Sequence, residues 1–137
     1  MHQRAVLAGG CFWVETSLCG YMSSVLGFVP MAVTAVYSAT KVALHSYALS
    51  ERFLKDVGVR VLEIAPPWVR TDLMNSREAE LAMPLDEYIA ETMAVLATDA
   101  DEILVDRAKA FRANVGPKEH GLVDSFNHEA TERFATT

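Results

Sequence analysis

The stretch from residue 33 to residue 64 constrains the fold most, because it joins a long helical pattern directly to an apolar strand. Val36, Ala39, Ala43, Leu44, Tyr47, Ala48 and Leu54 recur at steps of three and four, which predicts a helix over Val33–Val57 with one face on a core. Gly58 follows at the position where a left-handed residue ends a helix. Val59-Arg60-Val61-Leu62-Glu63-Ile64 is short and rich in β-branched side chains, and Pro66-Pro67 ends it by removing two backbone donors. A helix followed at once by a mostly apolar strand suits an α/β layer built on a parallel sheet.

The flanking sequence extends this pattern. Residues 68–83 read as a loop with a short helical piece. Pro84 then opens a second amphipathic helix, with Leu85, Ile89, Thr92, Met93 and Leu96 on one face and Asp86 and Glu87 in its first turn. Ile103-Leu104-Val105 suits a short edge strand, 107–114 a further helix, and the polar tail beyond Gly116-Pro117 one more. Residues 1 to about 20 are rich in glycine and cysteine and show no sustained period. The chain is therefore expected to divide into an atypical segment, 1–20, and an α/β unit, 21–137.

Composition excludes several function classes. The 137 residues are 51% hydrophobic and 22% charged, enough for a core in one domain. A net charge of -6 without a basic cluster argues against nucleic acid and anionic lipid as partners. No apolar run reaches the length of a membrane span. The N-terminal run stops at Gly9-Gly10 and is too short for a secretory signal, so a cytoplasmic protein is expected. Cys11 and Cys19 form no disulfide framework. His2, His45, His120 and His128 have no ligand spacing to a carboxylate or thiol, so no metal is expected, and His45 reads as a helix-packing residue. Asp99, Asp101, Glu102 and Asp106 read as a solvated face, and Trp68 as a packing or pocket residue.

Tyr37 and Lys41 read either as a surface tyrosine and a solvated lysine on an amphipathic helix or as a pair that carries chemistry. Four residues apart on the predicted helix, they share a face. A positive charge beside a phenol favours its ionised form. A tyrosine so tuned exchanges a proton with a carbonyl or alcohol oxygen. Ser24 is placed to donate a hydrogen bond to that oxygen as charge develops on it.

Ser24 lies thirteen residues before Tyr37, and Lys41 four after it. Ser23-Ser24 with Gly27, and Pro66-Pro67-Trp68-Val69-Arg70-Thr71 after the next strand, complete a pattern that resembles the short-chain dehydrogenase/reductase family, closest to its bacterial DltE-like members. The resemblance covers residue 21 to the end. It implies a partial Rossmann-like, doubly wound parallel sheet, an NAD or NADP cofactor, and a small carbonyl or alcohol substrate. It also implies roles: Tyr37 as general acid/base, Lys41 on the nicotinamide ribose, Ser24 on the substrate carbonyl, and Pro66, Val69 and Thr71 in the cofactor loop. In the family the Tyr/Lys helix also packs between subunits, so Val33–Val57 is a candidate self-association surface.

The chain departs from that family in three ways. It has no Gly-rich pyrophosphate turn with its βαβ units, it has no Asn-Ala-Gly motif, and Pro67 replaces the usual loop glycine. The expectation is a C-terminal catalytic half with exposed strand edges, inactive alone. A second resemblance lies at the N-terminus. Gly10-Cys11-Phe12-Trp13 is similar to the signature of type A peptide-methionine sulfoxide reductases, which implies a strand-to-helix turn and a nucleophilic Cys11. Thiol chemistry at Cys11 and a non-catalytic, self-associating chain are thus the alternatives to hydride chemistry.

Overall fold

The computed structural model describes residues 3–6, 13–52, 58–114 and 119–135. Four strands, β1 (Gln3–Val6), β2 (Trp13–Met22), β3 (Val59–Ile64) and β4 (Glu102–Ile103), form one sheet in the order β1-β2-β3-β4. The helices are α1 (Ala35–Glu51), α2 (Leu85–Leu96), α3 (Asp106–Arg112) and α4 (Glu119–Ala135). β2, β3 and β4 run parallel, with α1 crossing from β2 to β3 and α2 from β3 to β4. This is the α/β architecture that the helix–strand pattern requires. Gly58 has φ 83°, the left-handed conformation expected of it.

The N-terminal segment differs from its sequence reading. Trp13–Met22 is a continuous strand that runs across the expected boundary at residue 20, where no periodicity had signalled one. No helix begins after Cys11-Phe12 as the sulfoxide-reductase resemblance implied, since the chain is extended from Trp13 onward. β1 pairs antiparallel with Trp13–Thr16, whereas β3 pairs with Ser17–Met22. The other edge of Ser17–Met22 has no strand partner among the described residues.

The helices exist where expected, but only part of each expected face is buried. Regular α1 starts at Ala35, after a 3-10 turn over Ala32–Thr34, and residues 53–57, with Leu54, lie outside the described residues. Of the expected core stripe, Ala48 is fully buried and Leu44 half-buried, but Val36 is 81% exposed and Ala39, Ala43 and Tyr47 are exposed too. α1 instead buries Ser38 and Ala48 and half-buries Lys41 and His45. α2 likewise buries Thr92 while leaving Leu85, Ile89 and Met93 exposed. A period of 3.6 identifies an apolar stripe; it does not identify what covers that stripe.

Two apolar clusters hold the layer together. Val25, Val69, Met83, Val105 and Ala108 form one, with Tyr88, Leu104 and Phe111 against it. Leu26, Met31 and Ala130 form the other, with Tyr37 and Phe126 against it, so α4 closes over the start of α1. An ion network locks the sheet to its helices. Glu63, 1% exposed on β3, faces His45 Nδ1 at 2.8 Å and Arg52 at 3.5 Å. Arg52 also reaches Glu102 at 3.2 Å, and Arg112 of α3 grips Glu102 at 2.8 and 3.1 Å. His45 thus does more than pack, and Glu102 is not part of a merely solvated face. A carboxylate buried this deeply needs such partners, because unpaired it would cost several kcal/mol.

Candidate functional site

The site is assembled at the carboxyl ends of β2 and β3, where open parallel sheets bind ligands. β2 ends at Met22, and Ser23 continues the pairing, its N–H donating to Ile64 O at 2.8 Å. Ser24 is extended (φ -169°, ψ 158°) and caps a 3-10 turn over Val25–Gly27, its Oγ accepting from Leu26 N at 3.2 Å. Val25 N donates to Pro66 O at 3.0 Å, which staples the serine turn to the proline loop.

Gly27 then lets this turn approach α1. A Cβ at Gly27 would stand 3.0 Å from Lys41 O and 3.2 Å from Lys41 C, so only a glycine fits without displacement. On α1, Tyr37 packs against Leu26 and Met31. Lys41 Nζ donates to Met22 O at 2.8 Å and lies 5.4 Å from the centre of the Tyr37 ring. Ser24, Tyr37 and Lys41 are therefore gathered around the end of β2, although no hydrogen bond joins any two of them. Lys41 uses one of its three donors on Met22, leaving two for a ligand. An open hollow of about 510 Å³ borders Lys41, lined also by Thr40, Ala43, Leu44 and Tyr47.

The loop after β3 is held by its backbone and by one side chain. Arg70 N donates to Met83 O at 2.9 Å and Met83 N to Trp68 O at 2.8 Å, so Val69 is bridged to Met83. Ser76, with no exposed surface, sits inside the loop. Its Oγ lies 2.7 Å from Val69 O, 3.0 Å from Leu73 O and 3.1 Å from Thr71 O, and accepts from Thr71 N at 3.2 Å. Met74 and Asn75 take φ 56° and 51°, a strained left-handed pair that the Ser76 bonds help to hold. Thr71 is half-buried and Trp68 is 39% exposed at the mouth of the loop.

Sequence reasoning missed three groups of residues. Ser76 gave no signal. Glu63 could have been noticed as the one acid within an apolar strand. Tyr21, Tyr47 and Glu51 form a further cluster: Tyr21 Oη donates to Glu51, and the Tyr21 and Tyr47 rings meet edge to face at 5.6 Å. Hydrogen bonds from Tyr21 and Tyr47 hold the Glu51 carboxyl below the usual range. In return, Cys19 and Glu51 push the Tyr21 phenol up, and Glu51 does the same to Tyr47.

His45, Glu63 and Glu102 bring ligand atoms within 4.8 Å of one another. That donor set does not suit a cation, because Arg52 already bridges both carboxylates and Arg112 holds Glu102.

Residues 21–82 match the sequence profile of the short chain dehydrogenase family. The match takes in Ser24, Tyr37, Lys41 and the loop through Thr71, and leaves the first twenty residues outside it. Cys11 and Phe12 lie outside the described residues. The chain is 38% identical over 97 residues to an uncharacterized oxidoreductase, DltE, of Bacillus subtilis, covering 66% of this chain and 38% of that protein. It is 32% identical over 87 residues to an uncharacterized oxidoreductase of Staphylococcus epidermidis, again covering 38% of the relative. The chain thus spans about two-fifths of the length of these curated relatives. Its fold is similar to that of a short chain dehydrogenase from Burkholderia cenocepacia solved in complex with NADP. The TM-score is 0.64 at 22% identity, over 77% of this chain and 45% of that one. No described helix is long and apolar enough to cross a membrane.

Proposed function

We propose that the chain carries the acid/base half of an NAD- or NADP-dependent oxidoreductase acting on a small carbonyl or alcohol. The observation that carries this reading is the joining of the serine turn, the Tyr/Lys helix and the proline loop through Gly27 and the Val25–Pro66 hydrogen bond. Tyr37 exchanges the proton with the substrate oxygen, and Ser24 positions that oxygen by donating a hydrogen bond to it. Lys41 turns its two spare donors to the nicotinamide ribose hydroxyls. Pro66, Val69 and Thr71 hold the carboxamide and the adjoining phosphate. The nicotinamide ring supplies or accepts the hydride when bound.

The residues present suit the nicotinamide end of such a cofactor. The phosphate-cradling glycine turn has no counterpart in these 137 residues. We therefore expect the isolated chain to bind the nicotinamide end weakly and to turn over little or not at all. A cytoplasmic setting suits this chemistry. Val36 and Tyr47, exposed on one face of α1, support pairing with a second copy or an intact relative.

A thermal melt with and without NADPH and NADH tests the reading. The expected outcome is one cooperative transition raised by one of them. A melt indifferent to both refutes it.

A further inference from the structure

We infer that Ser76 is a positioning residue for the cofactor loop, acting by sparing the Thr71 hydroxyl hydrogen for the nicotinamide carboxamide. The inference rests on the functional reading above and adds a residue outside its motifs. Val69 O has two candidate donors. One is Ser76 Oγ at 2.7 Å, a full hydrogen bond, and the other is Thr71 Oγ1 at 3.5 Å, a long and weak one. Thr71 Oγ1 meanwhile accepts from Leu73 N at 3.3 Å, which fixes the oxygen while its hydrogen is held only by the long bond to Val69 O.

Ser76 also takes up the Thr71 N–H at 3.2 Å, so Thr71 faces a ligand with its hydroxyl rather than its amide. Without the Ser76 hydroxyl, the Val69 carbonyl would be left in a buried setting with Thr71 Oγ1 as its one donor among the described residues. An unmet buried acceptor costs more than a lengthened bond, so the Thr71 hydroxyl would turn inward and be lost to the ligand. Ser76 has no exposed surface and touches no ligand itself; its effect passes through Thr71.

The test is a double-variant cycle on the whole chain. Reduced nicotinamide mononucleotide is titrated by its own fluorescence, with ADP-ribose as the probe lacking nicotinamide. Ser76→Ala is expected to weaken the mononucleotide about tenfold, the worth of one hydrogen bond, and ADP-ribose less than about twofold. Thr71→Val is expected to do the same. The double variant is expected to be no weaker than Thr71→Val alone. Additive losses, or equal losses for both probes, would overturn the inference and reduce Ser76 to a structural role. If Ser76→Ala does not fold, Ser76→Cys keeps nearly the same volume with a weak donor. It should lose part of the same affinity, and full retention would overturn the inference. A wild-type chain that binds neither probe overturns the functional reading and this inference together. Binding that survives Ser76→Ala unchanged overturns this inference alone.

Discussion

Gly27→Ala places one methyl group between the serine turn and the helix that carries Tyr37 and Lys41. The added Cβ would sit 3.0 Å from Lys41 O and 3.2 Å from Lys41 C. Both atoms are backbone within α1, so neither can swing aside as a side-chain tip would. Gly27 does not have a positive φ, and alanine there would otherwise stabilise by about 0.4–1 kcal/mol through the unfolded chain. Overpacking against fixed atoms costs about 1–3 kcal/mol. The net expectation is a loss of about 1–2 kcal/mol, or roughly 3–10 °C in Tm for a chain of this size. Gly121→Ala is the matched control. Gly121 lies exposed on α4, with no atom within 4 Å of a Cβ placed there. It should gain about 0.5–1 kcal/mol from helix propensity. Differential scanning calorimetry of the two variants reads opposite signs if the close approach is real. A Gly27→Ala chain as stable as wild type would refute the approach of the turn to α1, and with it the assembled site.

Other outcomes follow from the same geometry. Burial pushes the Glu102 carboxyl up, but Arg112 and Arg52 outweigh it and hold the group below the usual carboxylate range. A depressed folded-state value stabilises above the unfolded one, near pH 4.3, and that stability is lost as pH falls through the folded value. Urea midpoints should therefore decline below about pH 5, and less steeply in Glu102→Gln; identical acid limbs would contradict the network. Tyr37→Phe should abolish any hydride transfer to a carbonyl while leaving the Tm within about 1 °C, since only a hydroxyl is removed; retained turnover would remove Tyr37 from the chemistry. Val36→Lys, at the most exposed apolar position of α1, should shift light scattering toward the monomer without lowering Tm; an unchanged mass would discharge α1 as a pairing surface.

Local sequence chemistry made the elements legible, and tertiary contact decided the rest. β3 was readable because its branched side chains and the prolines after it act within a few residues. Ser24, Tyr37 and Lys41 could be put forward as a candidate site because their spacing is a pattern within the sequence itself. The burial along α1 and α2 was legible only in part: Ala48 and Thr92 of the expected faces are buried, but Val36, Tyr47, Leu85, Ile89 and Met93 of those faces are exposed, and Ser38, outside the expected stripe, is buried on Met31. The strand over Trp13–Met22 was missed because Glu15, Cys19 and Gly20 interrupt any alternation, and its order comes from pairing with β3 forty residues on. Glu63 reads as one acid in a strand until His45 and Arg52 are seen beside it. Ser76 has no local signature at all: its four contacts are with main-chain atoms of the loop it sits in.

The most direct test of the central claim is a titration of reduced nicotinamide mononucleotide into the wild-type chain and into Lys41→Ala. Saturable binding that weakens at least tenfold in Lys41→Ala is the predicted result, since two charged donors to the ribose are removed. Binding that ignores the Lys41 substitution, or no binding by the wild-type chain, would contradict the account.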